Sequence, residues 1–117
     1  MIRLYGISNC DTVRKAKKWL DQHNVPYSYH DLRKEGLNEA QLDRWLRAVG
    51  WEALLNRRGL SWRRLNAEDR ADMDAAKARS LMLRNPTLIR RPVAEYKGEV
   101  RVGFTPHDYA LWLSNDA

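Results

Sequence analysis

Cysteine is nearly missing from this sequence, and Cys10 is its one thiol. A single cysteine cannot close an internal disulfide, so a secreted, disulfide-stapled scaffold is excluded. Long apolar runs are missing too. Arg3, Asn9, Asp11 and Arg14 interrupt the first 25 residues, which leaves no signal-peptide core, and no stretch reaches the length of a membrane span. The expectation is a cytoplasmic chain with no membrane association, where a thiol stays reduced. The histidines, His23, His30 and His107, stand at no metal-ligand spacing from Cys10 or from one another, so no metal is expected. The sequence also lacks repeats, low-complexity tracts and interdomain linkers.

What remains is a globular balance. The 117 residues are 44% hydrophobic and 31% charged, enough for one domain over residues 1–117 with a core that needs no staples. Lys and Arg number 21 against 15 Asp and Glu, a net charge of +6. That surplus predicts affinity for anions: a small oxyanion, an acidic peptide such as glutathione, or nucleic acid.

Along the chain, "IRLYGI" alternates as a half-buried strand and breaks at Gly6. From Asp11 the period becomes helical, with Val13, Ala16 and Leu20 on one face and Lys15, Lys17 and Lys18 largely off it. "NVPYSYHDL" reads as a turn and a second strand, completing a βαβ unit whose strands are expected to be parallel. Asn38 with Gln41 caps a helix that Gly50 ends, and Gly59 closes a short "WEALLN" helix. Asn66 starts a longer helix expected to run through "AEDRADMDAAKARSLMLR". "TLIRRPVAEY" and "EVRVGF" read as two strands around a Lys97–Gly98 turn, and Thr105 caps a last helix with Pro106 in its first turn.

This order places Cys10 at or just before a helix N-terminus. Unpaired backbone N–H groups point outward there, the helix dipole favours negative charge, and thiols so placed react as thiolates. Arg14 and Lys15 follow one turn on, whereas Asp11 opposes them unless its carboxylate turns to cap the backbone. A polar Ser8–Asn9 loop suits a buried structural thiol poorly. Pro92 holds Arg91 in extended geometry at the entrance to "VAEY". "NRRGLSWRRL" interleaves Trp62 with Arg57, Arg58, Arg63 and Arg64. The expectation there is a packed tryptophan among solvated arginines, not a nucleic-acid surface. Lys17, Lys18 and Arg33 read as surface charge, and Tyr27, Tyr29 and Trp45 as core or groove-lining.

The stretches "SNCDTVRKAKKWL" and "NPTLIRRPV", with "YSYHDLRKEGL" and "GWEALLNRRGLSWRRL" between them, resemble the arsenate reductase/Spx family of thioredoxin-like proteins. The likeness is to its YffB-type branch and runs over nearly the whole chain. It implies an α/β thioredoxin-like fold, a mixed four-stranded sheet ordered β-α-β then β-β-α, with a helical insertion at roughly residues 36–85. It implies a catalytic Cys10 with Arg14 and Arg91, and a cis Arg91–Pro92 element facing the thiol. Asn9, Asp11, Thr12, Pro92 and Arg57 become the candidate substrate-binding residues.

The chain departs from that pattern at telling places. Gly6 stands where the arsenate reductases carry a histidine, Asn56 where they carry a second arginine, and Phe104 near the third. Val13 stands where Spx-type regulators carry the second cysteine of a CxxC switch. The implied function is a glutathione-dependent thiol–disulfide oxidoreductase, acting as a monomer, with glutathione as co-substrate and glutaredoxin as a possible partner. Arsenate is expected to be a poor substrate. The alternative is an Spx-like, non-enzymatic regulator that binds RNA polymerase.

Overall fold

The structure, a computed structural model, describes residues 1–8 and 10–114. The chain divides into two units, Met1–His30 with Arg91–Ala117, and Asp31–Arg90. The insertion expected at residues 36–85 falls inside the second.

The first unit is built on a mixed four-stranded sheet in the order β2-β1-β3-β4, formed by β1 (Ile2–Gly6), β2 (Tyr27–Asp31), β3 (Val93–Tyr96) and β4 (Glu99–Val102). Strand β1 pairs antiparallel with β3 through Arg3↔Glu95, Leu4↔Ala94 and Tyr5↔Val93. Alternation along β1 turns Ile2 and Leu4 into a core shared with Ala16 and Leu20 of α1 (Asp11–Gln22), Ala94, and Tyr109 and Trp112 of α8 (Pro106–Ser114). The apolar stripe predicted for α1 is the one that is buried. The β3–β4 turn has positive φ at Lys97 (51°) and Gly98 (79°), the requirement of a type I′ hairpin. Thr105 Oγ1 accepts the Asp108 N–H at 3.0 Å and caps α8, as the sequence predicts.

In the second unit, α2 (Leu32–Glu35) is followed by α3 (Glu39–Val49), which Asn38 Oδ1 opens by accepting the Gln41 N–H at 2.7 Å and which ends at Gly50 with φ 83°. Trp45 is fully buried. Arg79 of α7 (Ala75–Arg84) bonds Asp43 of α3 at 2.7 Å and holds that carboxyl below its usual range.

Three sequence expectations give way here. The long helix breaks into α6 (Ala67–Arg70) and α7, because Asp72 takes φ 49° and Asp74 caps the Lys77 N–H at 2.8 Å. Lys77 Nζ then fastens the break by donating to the carbonyls of Glu68 and Ala71. An aspartate side chain competes with helical hydrogen bonding, and here it wins. Gly59 does not close the "WEALLN" helix: α4 (Trp51–Leu54) ends earlier, and Gly59 opens α5 (Leu60–Arg63) as its N-cap. The strand expected from Thr87 begins only at Val93, since Pro92 has no N–H to give a ladder. Before it, Pro86–Leu88 form a 3₁₀ turn capped by Asn85. Leu88 O accepts the Asn56 N–H, and the Arg90 N–H donates to Leu54 O, each at 2.8 Å.

Tyr109 sits edge-on to Phe104, Trp112 and Trp19 with centroids 4.8–6.0 Å apart, and its hydroxyl is buried without a hydrogen-bond partner among the described residues. Burial, reinforced by Asp108, pushes this phenol well above its ordinary value of 10.0. Burial and Glu95 push Tyr5 the same way, as burial and Asp21 do Tyr27. Below pH 10 these groups are neutral in both folded and unfolded chains. Above it the unfolded chain loses its protons first, so stability falls as pH rises. Tyr109→Phe should remove about 1.4 kcal/mol per pH unit from that decline. Urea midpoints measured across the interval above pH 10 test this, and an unchanged slope would contradict it.

Candidate active site

Cys10 is the N-cap of α1, with extended backbone (φ −107°, ψ 118°), and its carbonyl accepts the Arg14 N–H at 3.0 Å. The residue is half-buried, and its side chain makes no cap hydrogen bond. Ser, Thr, Asn and Asp normally occupy such a position because a side-chain acceptor there satisfies a first-turn N–H. The sulfur therefore stands at the first-turn N–H groups of α1 without capping them. Asn9 lies outside the described residues.

Asp11 is the first residue inside the helix, not its cap, and its Oδ1 accepts from Arg14 Nη2. Both side chains are largely exposed, so the pair contributes about 0.5 kcal/mol or less, yet it sets the Arg14 charge against a carboxylate. Thr12 follows, half-buried, in the first turn.

The Arg91–Pro92 peptide is cis. Pro92 is buried, and its carbonyl accepts the Gly103 N–H at 2.8 Å. In register, Pro92 follows the Tyr5↔Val93 pair toward Gly6, at the end of β1 from which the chain leaves for Cys10. Cys10, Asp11, Thr12, Arg14, Arg91 and Pro92 all belong to the first unit. Arg57 belongs to the second, where its guanidinium carbon lies 5.0 Å from the Trp51 ring centroid and 5.9 Å from that of Trp62.

Each position that departs from the arsenate reductase pattern has a local task. A Cβ on Gly6 would lie 2.7 Å from Val13 Cγ2 and 3.1 Å from its Cγ1. Asn56 Oδ1 accepts the Arg58 N–H at 3.0 Å and shapes the turn ahead of Gly59. Phe104 packs edge-on to Tyr109.

Sequence reasoning missed the role of Lys17. Read as surface charge, it is half-buried with Nζ 3.4 Å from the Tyr29 ring centroid. Its i, i+4 offset from Val13 was the available signal. The histidines have local partners or lie exposed: His23 Nδ1 meets Trp19 O at 2.8 Å, His30 stacks on Tyr5 and bonds Ser28 Oγ at 3.0 Å, and His107 is exposed. Among the described residues no cluster of three His, Cys, Asp or Glu side chains could hold a metal ion.

Val13 is 2% exposed and stiff at χ1, so it has little freedom to yield to a new neighbour. Gly6→Ala should destabilise the fold by about 1–3 kcal/mol and Gly6→His by more, measured by urea unfolding. Val13→Ala in the Gly6→Ala background should recover part of the first loss. A neutral Gly6→His would show that the site is open at this position.

Comparison with known proteins finds relatives along nearly the whole chain. A model of the ArsC family matches residues 5–111. An uncharacterized protein of Haemophilus influenzae is 41% identical over 109 residues, 93% of this chain and 96% of its own. The global transcriptional regulator Spx of Listeria innocua is 27% identical, over 97% of this chain and 87% of its own. The solved structure of the YFFB (PA3664) protein matches with TM-score 0.90 at 46% identity, covering 95% of this chain and 97% of that one. An arsenate reductase (ArsC) related protein from Brucella melitensis matches with TM-score 0.78 at 47% identity, covering 96% and 93%.

Proposed function

The chain belongs to the ArsC family, and from that premise we propose that it is a cytoplasmic, monomeric thiol–disulfide oxidoreductase that uses glutathione as co-substrate. The observation that carries this reading is the sequence's one thiol at the N-cap of α1, with the cis Arg91–Pro92 peptide at the same end of the sheet.

In the proposed exchange the Cys10 thiolate attacks one sulfur of a disulfide. That S–S bond breaks, a mixed disulfide with Cys10 forms, and the second sulfur leaves as a thiolate that takes a proton from water. A glutathione thiolate then attacks the mixed disulfide. Where the sulfur bound to Cys10 is already that of glutathione, the products are glutathione disulfide and the regenerated Cys10 thiolate. The first-turn N–H groups of α1 stabilise the developing thiolate, and Arg91 supplies positive charge. Asp11 and Thr12 border the sulfur in sequence and are candidates to contact the substrate. Glutaredoxin is a second candidate for the resolving thiol. With one cysteine the chain cannot resolve the intermediate itself.

A second reading follows from the likeness to Spx: a regulator that binds RNA polymerase, with Cys10 as a redox sensor. Incubation with glutathione disulfide separates the two. The enzyme reading expects a stoichiometric glutathione adduct on Cys10 by mass spectrometry, its turnover by added glutathione, and loss of both in Cys10→Ser. An adduct that glutathione does not clear would favour the sensor.

Arg91→Ala should slow turnover about ten- to a hundredfold, the equivalent of one charge-assisted hydrogen bond. Arg90→Ala should have little effect, since that side chain is exposed. Equal losses from the two substitutions would remove Arg91 from the mechanism. Arsenate, assayed with glutathione and glutaredoxin, should turn over poorly, and a rate matching an authentic arsenate reductase would show that Gly6, Asn56 and Phe104 do not matter.

A further inference from the structure

Between Ala53 and Ala67 the sequence carries Arg57, Arg58, Arg63 and Arg64 and no carboxylate. All four side chains are exposed. Elsewhere in the same unit arginines meet acids, Arg79 at Asp43 and Glu39 and Arg84 at Asp69. Among the described residues no carboxylate lies within ion-pair distance of these four.

Their placement is built. The Arg63 N–H donates to Gly59 O and the Arg64 N–H to Leu60 O, so α5 is one helical turn with Leu60, Arg63 and Arg64 on a common side. Ser61 Oγ bonds Thr87 Oγ1 at 2.5 Å, and half-buried Trp62 packs under Arg57, which holds the rest of the turn inward. Leu60 is left 53% exposed among like charges that repel one another.

We propose that this face, Leu60 with Arg63 and Arg64, with Arg57 and Arg58 close to it in sequence, docks an acidic segment of a partner protein that also brings an apolar side chain. The carboxylates would answer the arginines and the apolar group would cover Leu60. A guanidinium already placed over two indoles loses less freedom on binding than an unattached one, and Arg and Trp are the side chains that dominate protein interfaces. Single-stranded nucleic acid fits less well. It needs open aromatic faces for base stacking, but Arg57 covers one face of both Trp51 and Trp62, and a phosphate backbone offers nothing to Leu60. The proposal rests on Leu60, Arg63 and Arg64 and not on the chemistry at Cys10; Arg57 is the one residue it shares with the substrate-binding candidates.

Fluorescence anisotropy on the full chain with three labelled probes tests it: a glutamate–leucine amphipathic peptide, polyglutamate, and oligothymidine. The amphipathic peptide should bind tightest of the three. Arg63→Ser with Arg64→Ser should weaken it at least about tenfold, and Leu60→Ser about tenfold, while polyglutamate is indifferent to Leu60→Ser. Circular dichroism should show both variants folded, as expected for exposed positions. Tighter binding of oligothymidine, equal binding of the peptide to Leu60→Ser and the unaltered chain, or no binding of the peptide at low salt would each overturn the proposal.

Discussion

The end of β1 and the first turn of α1 meet with no space between them: a single added carbon on Gly6 would fall 2.7 Å from a methyl of Val13. Close packing of this kind transmits position, because neither side can move without losing contact. Ala16 and Leu20 extend the same stripe onto the core that holds Ile2 and Leu4, so the helix is fixed along its length as well as at its start. Cys10 is fixed with it, one residue before the helix. The contact also closes off two chemistries. A side chain at position 6 has no room, and the thiol that would make an internal switch is replaced at position 13 by the methyls that fill that room. One cysteine at one helix start is what the packing leaves.

The net charge of +6 looks different once partners are assigned. Arg14 is answered by Asp11, Arg101 by Asp108 and Glu99, and Arg79 by Asp43. These exposed or half-buried pairs remove charge from the field that a distant anion feels. Arg57, Arg58, Arg63 and Arg64 form one of the runs of positive charge that no carboxylate answers among the described residues. The affinity for anions that composition predicts therefore need not belong to the thiol site, and measuring it on the whole chain would conflate two surfaces.

Much of this was legible in the sequence where local chemistry decides. Val13, Ala16 and Leu20 announced the buried face of α1, while Asn38, Asn66 and Thr105 announced their helices through side chains that accept first-turn N–H groups. The Lys97–Gly98 turn was legible because few residues tolerate positive φ. The misses share a different cause. Helical period runs unbroken through residues 67–84, and only the Asp74 cap and the reach of Lys77 back to Glu68 and Ala71 decide for two helices. The extended run at Ile89–Arg90 is paired with Leu54 and Leu55, partners some 35 residues away that no local pattern names. At the candidate site, Cys10 was legible from its place at the start of a basic helix, whereas the cis Arg91–Pro92 peptide came from family resemblance. The pairing of Asp11 with Arg14 needed the helix start fixed to one residue, the least certain feature of a sequence reading.

That pairing bears on what the thiol can attack. A doubly charged oxyanion needs several cations converging on it, since each must offset hydration that the anion gives up. Here Arg14 is set against Asp11, and neutral residues stand at 6, 56 and 104. A disulfide makes a smaller demand. It arrives uncharged at the reacting bond, and only the departing sulfur develops negative charge, next to the first-turn N–H groups of α1. The proposed exchange thus asks of this site one cationic side chain and one helix start, and the cost of having no second cysteine falls on the outside thiol that must complete the cycle.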